Sequence, residues 1–469
     1  MNKTKIVCTI GPACSDLETL KKMMKAGMDV ARFNMSHGTH ESHKKLMDLV
    51  KQARFELGLP VAIMLDTRGP EIRIKQFKDG KVVLKHGQAF ALTTENVVGD
   101  ETIVSVTYSK LPTIVREGTR ILLNDGFIEL VVVKVTETVI HTKVVNGGEL
   151  SNNKSINIPS VELNMDYLSK NDKSDLEFGV QEGVDCYSIS FVNSAADVEC
   201  VRKFLKSKGL NDAFIISKIE SAKGVEKMEE IIAASDGVMV ARGDMGVEIP
   251  FERLPNVQKE MIAIANKLGK YSITATQMLE SMIVNARPTR AEISDIANAI
   301  YDGTSAIMLS GETSAGQHPI LAVETMQKIA TETEKTLDNK KDFFKNNFES
   351  NDVTQGIGYA SCALASSLNA KAIIVTTNTG TSAEAISRFR PNADIIALTP
   401  HYNIFFRLGM LWGVYPILDK VYFNTDELVK SAKEKAKQFK YVKTGDVVIQ
   451  TASVVTGESG SNMLIVTKV

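Results

Sequence analysis

A chain of 469 residues is too long for one ordinary core, and its 43% hydrophobic content is that of a soluble globular protein, so two or three domains are expected. The 55 basic residues nearly cancel the 56 acidic ones and no lysine or arginine run stands out, which argues against a nucleic-acid or membrane partner. Five cysteines, at 8, 14, 186, 200 and 362, form no CxxC pair, and no apolar stretch reaches the roughly 18 residues of a membrane span, so a reducing, cytoplasmic setting is expected.

The chain enters a strand-like run at once, KIVCTI, followed by the amphipathic segment DLETLKKMMKAG with its closing glycine. VARFN, the helical HESHKKLMDLVKQARFELG and VAIMLD repeat the alternation. His37, His40 and His43 lie where that helix begins; without a carboxylate partner and a closed ligand set they read as a solvated helix start and not as a metal site.

Residues 71–167 break the rhythm. They are rich in valine, isoleucine and threonine, as in RILLNDGFIELVVVKVTETVIHTKVV, with turn signals at Asn124 to Gly126 and at Gly147 and Gly148, and predict an inserted all-β domain. CYSISF, AFIISKI, GVMVARGD, YSITAT and AIMLSGE then resume the alternation, bringing the buried runs to eight. Eight strand and helix alternations predict a (β/α)8 TIM barrel over 1–70 and 168–338. The polar, lysine-rich TETEKTLDNKKDFFKNNFESND reads as a boundary, beyond which KAIIVTT, DIIALT, GVYPIL, DVVIQT and MLIVTKV alternate with helical segments as a C-terminal α/β domain over 339–469.

A barrel of this kind builds its site from the C-terminal ends of its strands. Arg32, Asn34 and Ser36 follow the second strand, Asp66 and Thr67 the third, Lys218 and Glu220 the fifth, Asp244 the sixth, Thr276 the seventh, and Ser310 and Glu312 the eighth. Glu220 and Asp244 can give two oxygens to a Mg²⁺ that keeps its other positions for water and substrate, with Lys218 facing the substrate. The alternative is that Lys218 and Glu220 only neutralise each other; a buried pair is a poor source of stability, which favours the functional reading. Gly243 and Gly246 flank Asp244 and would let backbone approach a ligand, or equally make a tight strand-to-helix turn. Arg32 and Arg73 can each fork onto phosphate oxygens, although a lone loop arginine is more often a surface charge. Such a mouth suits a highly anionic substrate pair, where catalysis is mainly positioning and charge neutralisation.

KTKIVCTIGPA, ARFNMSHG, MLDTRGPEIR, ISKIES, GVMVARGDMGVEI, TATQMLESM and RPTRAEISDIANAIYDGTSAIMLSGETSAG resemble, in order, the signatures of the pyruvate kinase family. The resemblance implies phosphoryl transfer from phosphoenolpyruvate to ADP, giving pyruvate and ATP, with Mg²⁺ (or Mn²⁺) and K⁺. It implies that Lys218 and Arg32 meet the phosphoryl group and that Glu220 and Asp244 hold Mg²⁺. Asn34, Ser36, Asp66 and the Thr67 carbonyl would hold K⁺, with Glu71 the residue type that accompanies K⁺ dependence. Thr276 would stand near the enolate face, and the Gly243 and Asp244 amides would take the substrate carboxylate. His37, Arg73, Asp125 and Lys154 match positions lining the ADP pocket under a closing lid, and Arg290 matches an arginine that reaches a neighbouring subunit of a homotetramer. Two departures stand out: Asp166 where a proline is expected at the lid's return, and Asn193 where arginine is common, the second bearing on a peripheral contact.

TTNTGTSAEAISRFRP, residues 376–391, is a Ser/Thr/Gly loop before a helix. It is either an anion site or simply a helix start in which Thr381 and Glu384 form a capping box. The resemblance implies a site for a phosphorylated effector at Thr376, Asn378, Thr379, Gly380, Thr381 and Ser382. SVVTGESGSNMLIV, however, lacks the glycine and proline expected at Ser453 and Val455, which leaves the effector's identity and existence open. Two other readings stay open: a metal-dependent lyase or aldolase acting on pyruvate, which would need neither the insertion nor the K⁺ set, and a barrel that has lost turnover and only binds metabolites.

Overall fold

Each apolar run assigned to the barrel is a strand in the computed structural model, which describes residues 2–159, 161, 165–337, 348–422, 424–453 and 460–469. The strands are β1 (Lys5–Thr9), β2 (Val30–Asn34), β3 (Ala62–Asp66), β4 (Cys186–Ile189), β5 (Ile215–Ile219), β6 (Gly237–Ala241), β7 (Tyr271–Ala275) and β8 (Ala306–Leu309). They pair in parallel in chain order, and β8 closes on β1 with Lys5 opposite Ala306. All five residues of β1 are buried because the barrel interior covers one face and helices the other, so the strand reads as an unbroken apolar run.

Local chemistry sets the helix ends. Asp16 caps Leu17–Ala26 through the Thr19 amide, and Thr39, Ser169 and Thr289 start His40–Leu57, Lys170–Glu182 and Arg290–Tyr301 with reciprocal capping boxes. Thr289 and Glu292 form theirs inside the quoted RPTRAEI motif, so that signature is in part a helix start.

Between β3 and β4 the chain forms a seven-stranded sheet and a two-stranded pair around a separate core that includes Leu123, Leu130 and Val144. Asn124, Asp125 and Gly126 all take left-handed φ and turn Arg120–Leu123 back onto Ile128–Val135, as the NDG signal predicts. Beyond the barrel, β9 (Ala372–Thr376), β10 (Asp394–Thr399), β11 (Val414–Leu418), β12 (Val447–Ala452) and β13 (Met463–Lys468) form one sheet in the order β11-β10-β9-β12-β13. The alternation expected there holds for parallel β9 to β12, but β13 returns antiparallel on β12. The limit expected at 338 and 339, and the expected proline position Val455, lie outside the described residues.

This last unit seats on the floor of the barrel, the end opposite the mouth. Met410 is fully buried in the cluster of barrel-lining side chains that includes Val7, Cys186, Met239 and Tyr271. Lys5 Nζ donates to the Val414 carbonyl at 2.9 Å, and Arg390 Nη2 to Ser305 Oγ at 2.8 Å. Among the described residues no helix is long and apolar enough to cross a membrane.

Candidate active site

The residues singled out at the strand ends fall into one bonded group. Lys218, on β5, sits with Nζ 3.0 Å from Glu220 Oε1, 3.2 Å from Asp66 Oδ1 and 2.7 Å from Ser190 Oγ. Asp66 ends β3 beside Asn34 of β2, and its Oδ2 accepts from Arg32 Nε at 2.6 Å. Arg32 Nη1 donates to Thr9 Oγ1 at 2.8 Å, and all four charged groups are buried. Parallel neighbours in a closed barrel point alternate side chains to the same side, which is why residues 34 and 152 positions apart in sequence meet.

Charge and burial act against each other here. Burial opposes the Lys218 ammonium, yet Asp66 and then Glu220 outweigh it and raise its pKa, so the lysine is a fixed cation. Burial also opposes ionisation of Asp66, but Arg32 and Lys218 prevail and hold it below the usual carboxylate range. Glu220 is pushed up to about 8, by burial first and by the charge of Asp244, against the pull of Lys218. A carboxylate that resists ionising because it is buried and a second carboxylate acts on it is a place where a cation is favoured.

Asp244 stands in the first turn of Arg242–Glu248, which follows β6 directly, so the tight strand-to-helix turn is real. With Glu71, Phe191 and Glu248 it lines a cleft of about 610 Å³ between barrel and inserted sheet. The Gly243 amide, expected to be open to a substrate carboxylate, already donates to Thr276 Oγ1 at 2.9 Å. Thr276 and Gln277 both take left-handed φ, an uncommon state for a β-branched residue. The carbonyls of Ala275 and Thr276 are held by Arg242, whose Nη1 lies 2.8 and 2.7 Å from the two oxygens of Asp295.

Among the residues linked to K⁺, Asn34 Oδ1 accepts from the Ser36 amide at 3.0 Å and the Thr67 carbonyl from Ser190 Oγ at 2.7 Å. Glu71 pairs with Arg73, whose Nε is 2.7 Å from Glu71 Oε2. On the nucleotide side, burial and then Arg73 depress the His37 pKa, while Asp125 Oδ1 accepts from Ser155 Oγ at 3.1 Å. Ser155 is the strand partner of Arg73, and Lys154 precedes it, which places both lid residues on the same edge.

Several expectations are corrected. Helix Thr381–Ser387 starts at Gly380 in a left-handed conformation without a side-chain cap, so no capping box joins Thr381 and Glu384; Glu384 Oε1 instead lies 3.7 Å from Arg407. Loop 376–382 is far from the mouth, closed by Gly380 to Thr377 and by Ser461 to Ser382 hydrogen bonds. Glu312 does not face the mouth: it is fully buried and accepts from the Leu279 and Ser310 amides. The helix start that carries the histidines is largely exposed at His37, Thr39, Glu41 and Ser42, but His40 does have a carboxylate partner, bonding Asp175 at 2.6 Å and stacking on Phe178, and buried His43 bonds the His37 carbonyl. Asn193 is no peripheral contact but lies one step from Glu220, through Phe191. Asp166 is exposed at the lid's return, as is Arg290 at its helix start.

A parallel barrel whose mouth gathers buried cations and carboxylate oxygens beneath an inserted β domain defines an enzyme built for an anionic substrate. The model of the pyruvate kinase barrel domain matches residues 1–323, and that of the pyruvate kinase alpha/beta domain residues 355–467. Over 467 residues the chain is 46% identical to the pyruvate kinase of Sporosarcina psychrophila, covering 99% of this chain and 80% of that one. It is 45% identical over 467 residues to that of Clostridium acetobutylicum, covering 99% of both, and 44% over 465 residues to that of Geobacillus stearothermophilus, covering 98% and 79%. The chain belongs to the pyruvate kinase family and is a phosphotransferase.

Proposed function

We propose that the protein transfers the phosphoryl group of phosphoenolpyruvate to ADP, giving pyruvate and ATP in the last step of glycolysis, with Mg²⁺ (or Mn²⁺) and K⁺, as a cytoplasmic homotetramer. The observation that carries this reading is the buried Lys218 cation set between Asp66 and Glu220 at the barrel mouth. Because its ammonium is stabilised, Lys218 is a poor candidate for a Schiff base, which needs a neutral amine; a metal-dependent lyase needs no such nucleophile, and what counts against it is the inserted β domain, for which it has no use.

Lys218 would present a fixed charge to the phosphoryl group, where it counts most as that group passes between donor and acceptor. With Nε on Asp66 and Nη1 on Thr9, Arg32 keeps Nη2 for a phosphate oxygen. Glu220 and Asp244 are hard oxygen donors whose mutual repulsion suits Mg²⁺, and Asn34, Ser36, Asp66 and the Thr67 carbonyl form an all-oxygen set that suits K⁺. A divalent cation bound there supplies charge neutralisation to the substrate oxygens. A substrate carboxylate would take the Gly243 amide from Thr276 Oγ1, and the Thr276 hydroxyl, which donates to the Ala275 carbonyl at 2.6 Å, would turn its proton, or that of a water beside it, to the enolate to give pyruvate. His37, Arg73, Asp125 and Lys154 would hold ADP, and closure of the inserted domain would exclude water from the phosphoryl donor. Arg290 would reach a second subunit, and loop 376–382 would take a phosphorylated effector.

The test is pyruvate formation from phosphoenolpyruvate and ADP with Mg²⁺, in K⁺ and in tetramethylammonium, for the wild type and for Lys218→Met. The expected result is K⁺-dependent turnover that drops by several orders of magnitude in the variant while Mn²⁺ still binds. Folded wild-type protein without turnover in either salt would overturn the proposal.

A further inference from the structure

At the floor of the barrel, the end away from the mouth, a cavity of about 380 Å³ lies between β5 to β7 and the C-terminal unit. Its wall carries five cations, Arg202, Lys270, Arg388, Arg390 and Arg407, against three acids. The acids are already matched: Asp236 lies 3.2 Å from Arg202, while Asp212 and Glu384 each lie 3.7 Å from Arg407.

Lys270, Arg388 and Arg390 are left without a carboxylate partner among the described residues. Lys270 Nζ donates to the Ser235 carbonyl, Arg388 to Gln355 Oε1 and the Lys267 carbonyl, and Arg390 Nη2 to Asn266, the Gly303 carbonyl and Ser305. Arg390 also lies over the Trp412 ring at 4.7 Å, and its Nε and Nη1 are buried in the wall without a hydrogen-bond partner. Burial depresses the pKa of all three cations, that of Arg390 to about 9. Three cations brought together in one wall, each hydrogen-bonded only to neutral groups and with spare guanidinium donors on Arg390, form an arrangement that a bound dianion would complete.

We propose that this cavity binds a small organic phosphate monoester, with Lys270, Arg388 and Arg390 holding the phosphate. A phosphate monoester supplies two negative charges and a fork of oxygens for the guanidinium groups. The space far exceeds the roughly 30 Å³ share of one water molecule, leaving room for the organic part. Because Lys270 comes from the barrel and the two arginines from the C-terminal unit, the ligand would bridge them and stabilise their junction. The cavity adjoins loop 376–382, since Thr381 lines it, but the three cations that would hold the phosphate all lie outside that loop.

Calorimetric titration of the full chain with a nucleoside 5′-monophosphate, a hexose 6-phosphate and inorganic phosphate tests this. At least one monoester should bind more tightly than inorganic phosphate and raise the melting temperature. Lys270→Met and Arg388→Gln should each weaken that binding by about tenfold or more, and Lys270→Arg should restore most of it. Circular dichroism of each variant would verify the fold. The proposal is overturned if no monoester binds up to about 10 mM, if inorganic phosphate binds as tightly, or if Lys270→Met and Arg388→Gln leave binding intact.

Discussion

Asn193 Nδ2 donates to the carbonyl of Phe191 at 3.0 Å, and Phe191, held in a left-handed conformation, donates its own amide to Glu220 Oε2 at 2.6 Å. Asn193 Oδ1 in turn accepts from Ser221, the residue after Glu220, whose hydroxyl caps the next helix. The carboxylate assigned to Mg²⁺ is therefore oriented from both sides by one asparagine. Asn193→Ala should release the Phe191 backbone and weaken divalent-cation binding by about tenfold, the usual effect of losing an outer-shell partner. Titration of free Mn²⁺ by electron paramagnetic resonance would show it, and wild-type Mn²⁺ affinity in a folded variant would refute the role.

The bidentate hold of Arg242 on Asp295 anchors a second strained segment. Arg242 fixes the successive carbonyls of Ala275 and Thr276 as the chain leaves β7, where Thr276 and Gln277 have left-handed φ. Asp295→Asn removes the charge facing a buried guanidinium, a loss of about 1.5–3 kcal/mol in such a bond, part of which reaches Thr276 as misplacement. Turnover should fall by about tenfold or more with a smaller change in the Michaelis constant for ADP. Equal loss of turnover and ADP affinity would mean that Asp295 acts elsewhere.

The barrel was legible because parallel strands buried on both faces must be apolar, so KIVCTI and its seven counterparts stand out from amphipathic helices. The charged centre was legible for the converse reason: Lys218 and Glu220 have no place in such a run unless partners from other strands meet them. Ser190 was not. It accepts from Lys218 and donates to the Thr67 carbonyl, yet a serine at the end of CYSISF carries no charge and no spacing that marks it. Its one signal was position, the C-terminal end of β4. Glu312 failed in the opposite sense, since a buried carboxylate satisfied by two amides is indistinguishable in sequence from one facing a substrate. Thr381 was misplaced as a cap because the left-handed φ of Gly380 starts the helix there, a choice made by backbone packing.

Glu71 pairs with Arg73 at the edge of the cleft that also holds Asp244, so its charge bears on the monovalent-cation and nucleotide sides together. Glu71→Lys should put a permanent cation beside the oxygens assigned to K⁺ and leave Arg73 without its carboxylate. Activity in tetramethylammonium should then approach that in K⁺, while the Michaelis constant for ADP shifts. An unchanged K⁺ requirement would place the monovalent site elsewhere.

At Gly409 the C-terminal unit packs directly on the backbone of the barrel floor. A Cβ added there would lie 2.0 Å from the Pro60 carbonyl oxygen and 2.9 Å from Pro60 Cβ, and a backbone atom cannot swing aside as a side chain can. The neighbouring Met410 is fully buried in the barrel floor, so the helix Tyr402–Gly409 can withdraw only by unseating that plug. Gly409→Ala should therefore cost at least about 1–3 kcal/mol, the usual range for overpacking, and lower the calorimetric transition of the full chain by several degrees. Gly58→Ala is the control: its φ is +62° and nothing lies within 4 Å of the added carbon, so only the conformational penalty of about 1 kcal/mol applies. If Gly409→Ala melted no earlier than Gly58→Ala, the seating of the C-terminal unit on Pro60 would not be as tight as the structure shows.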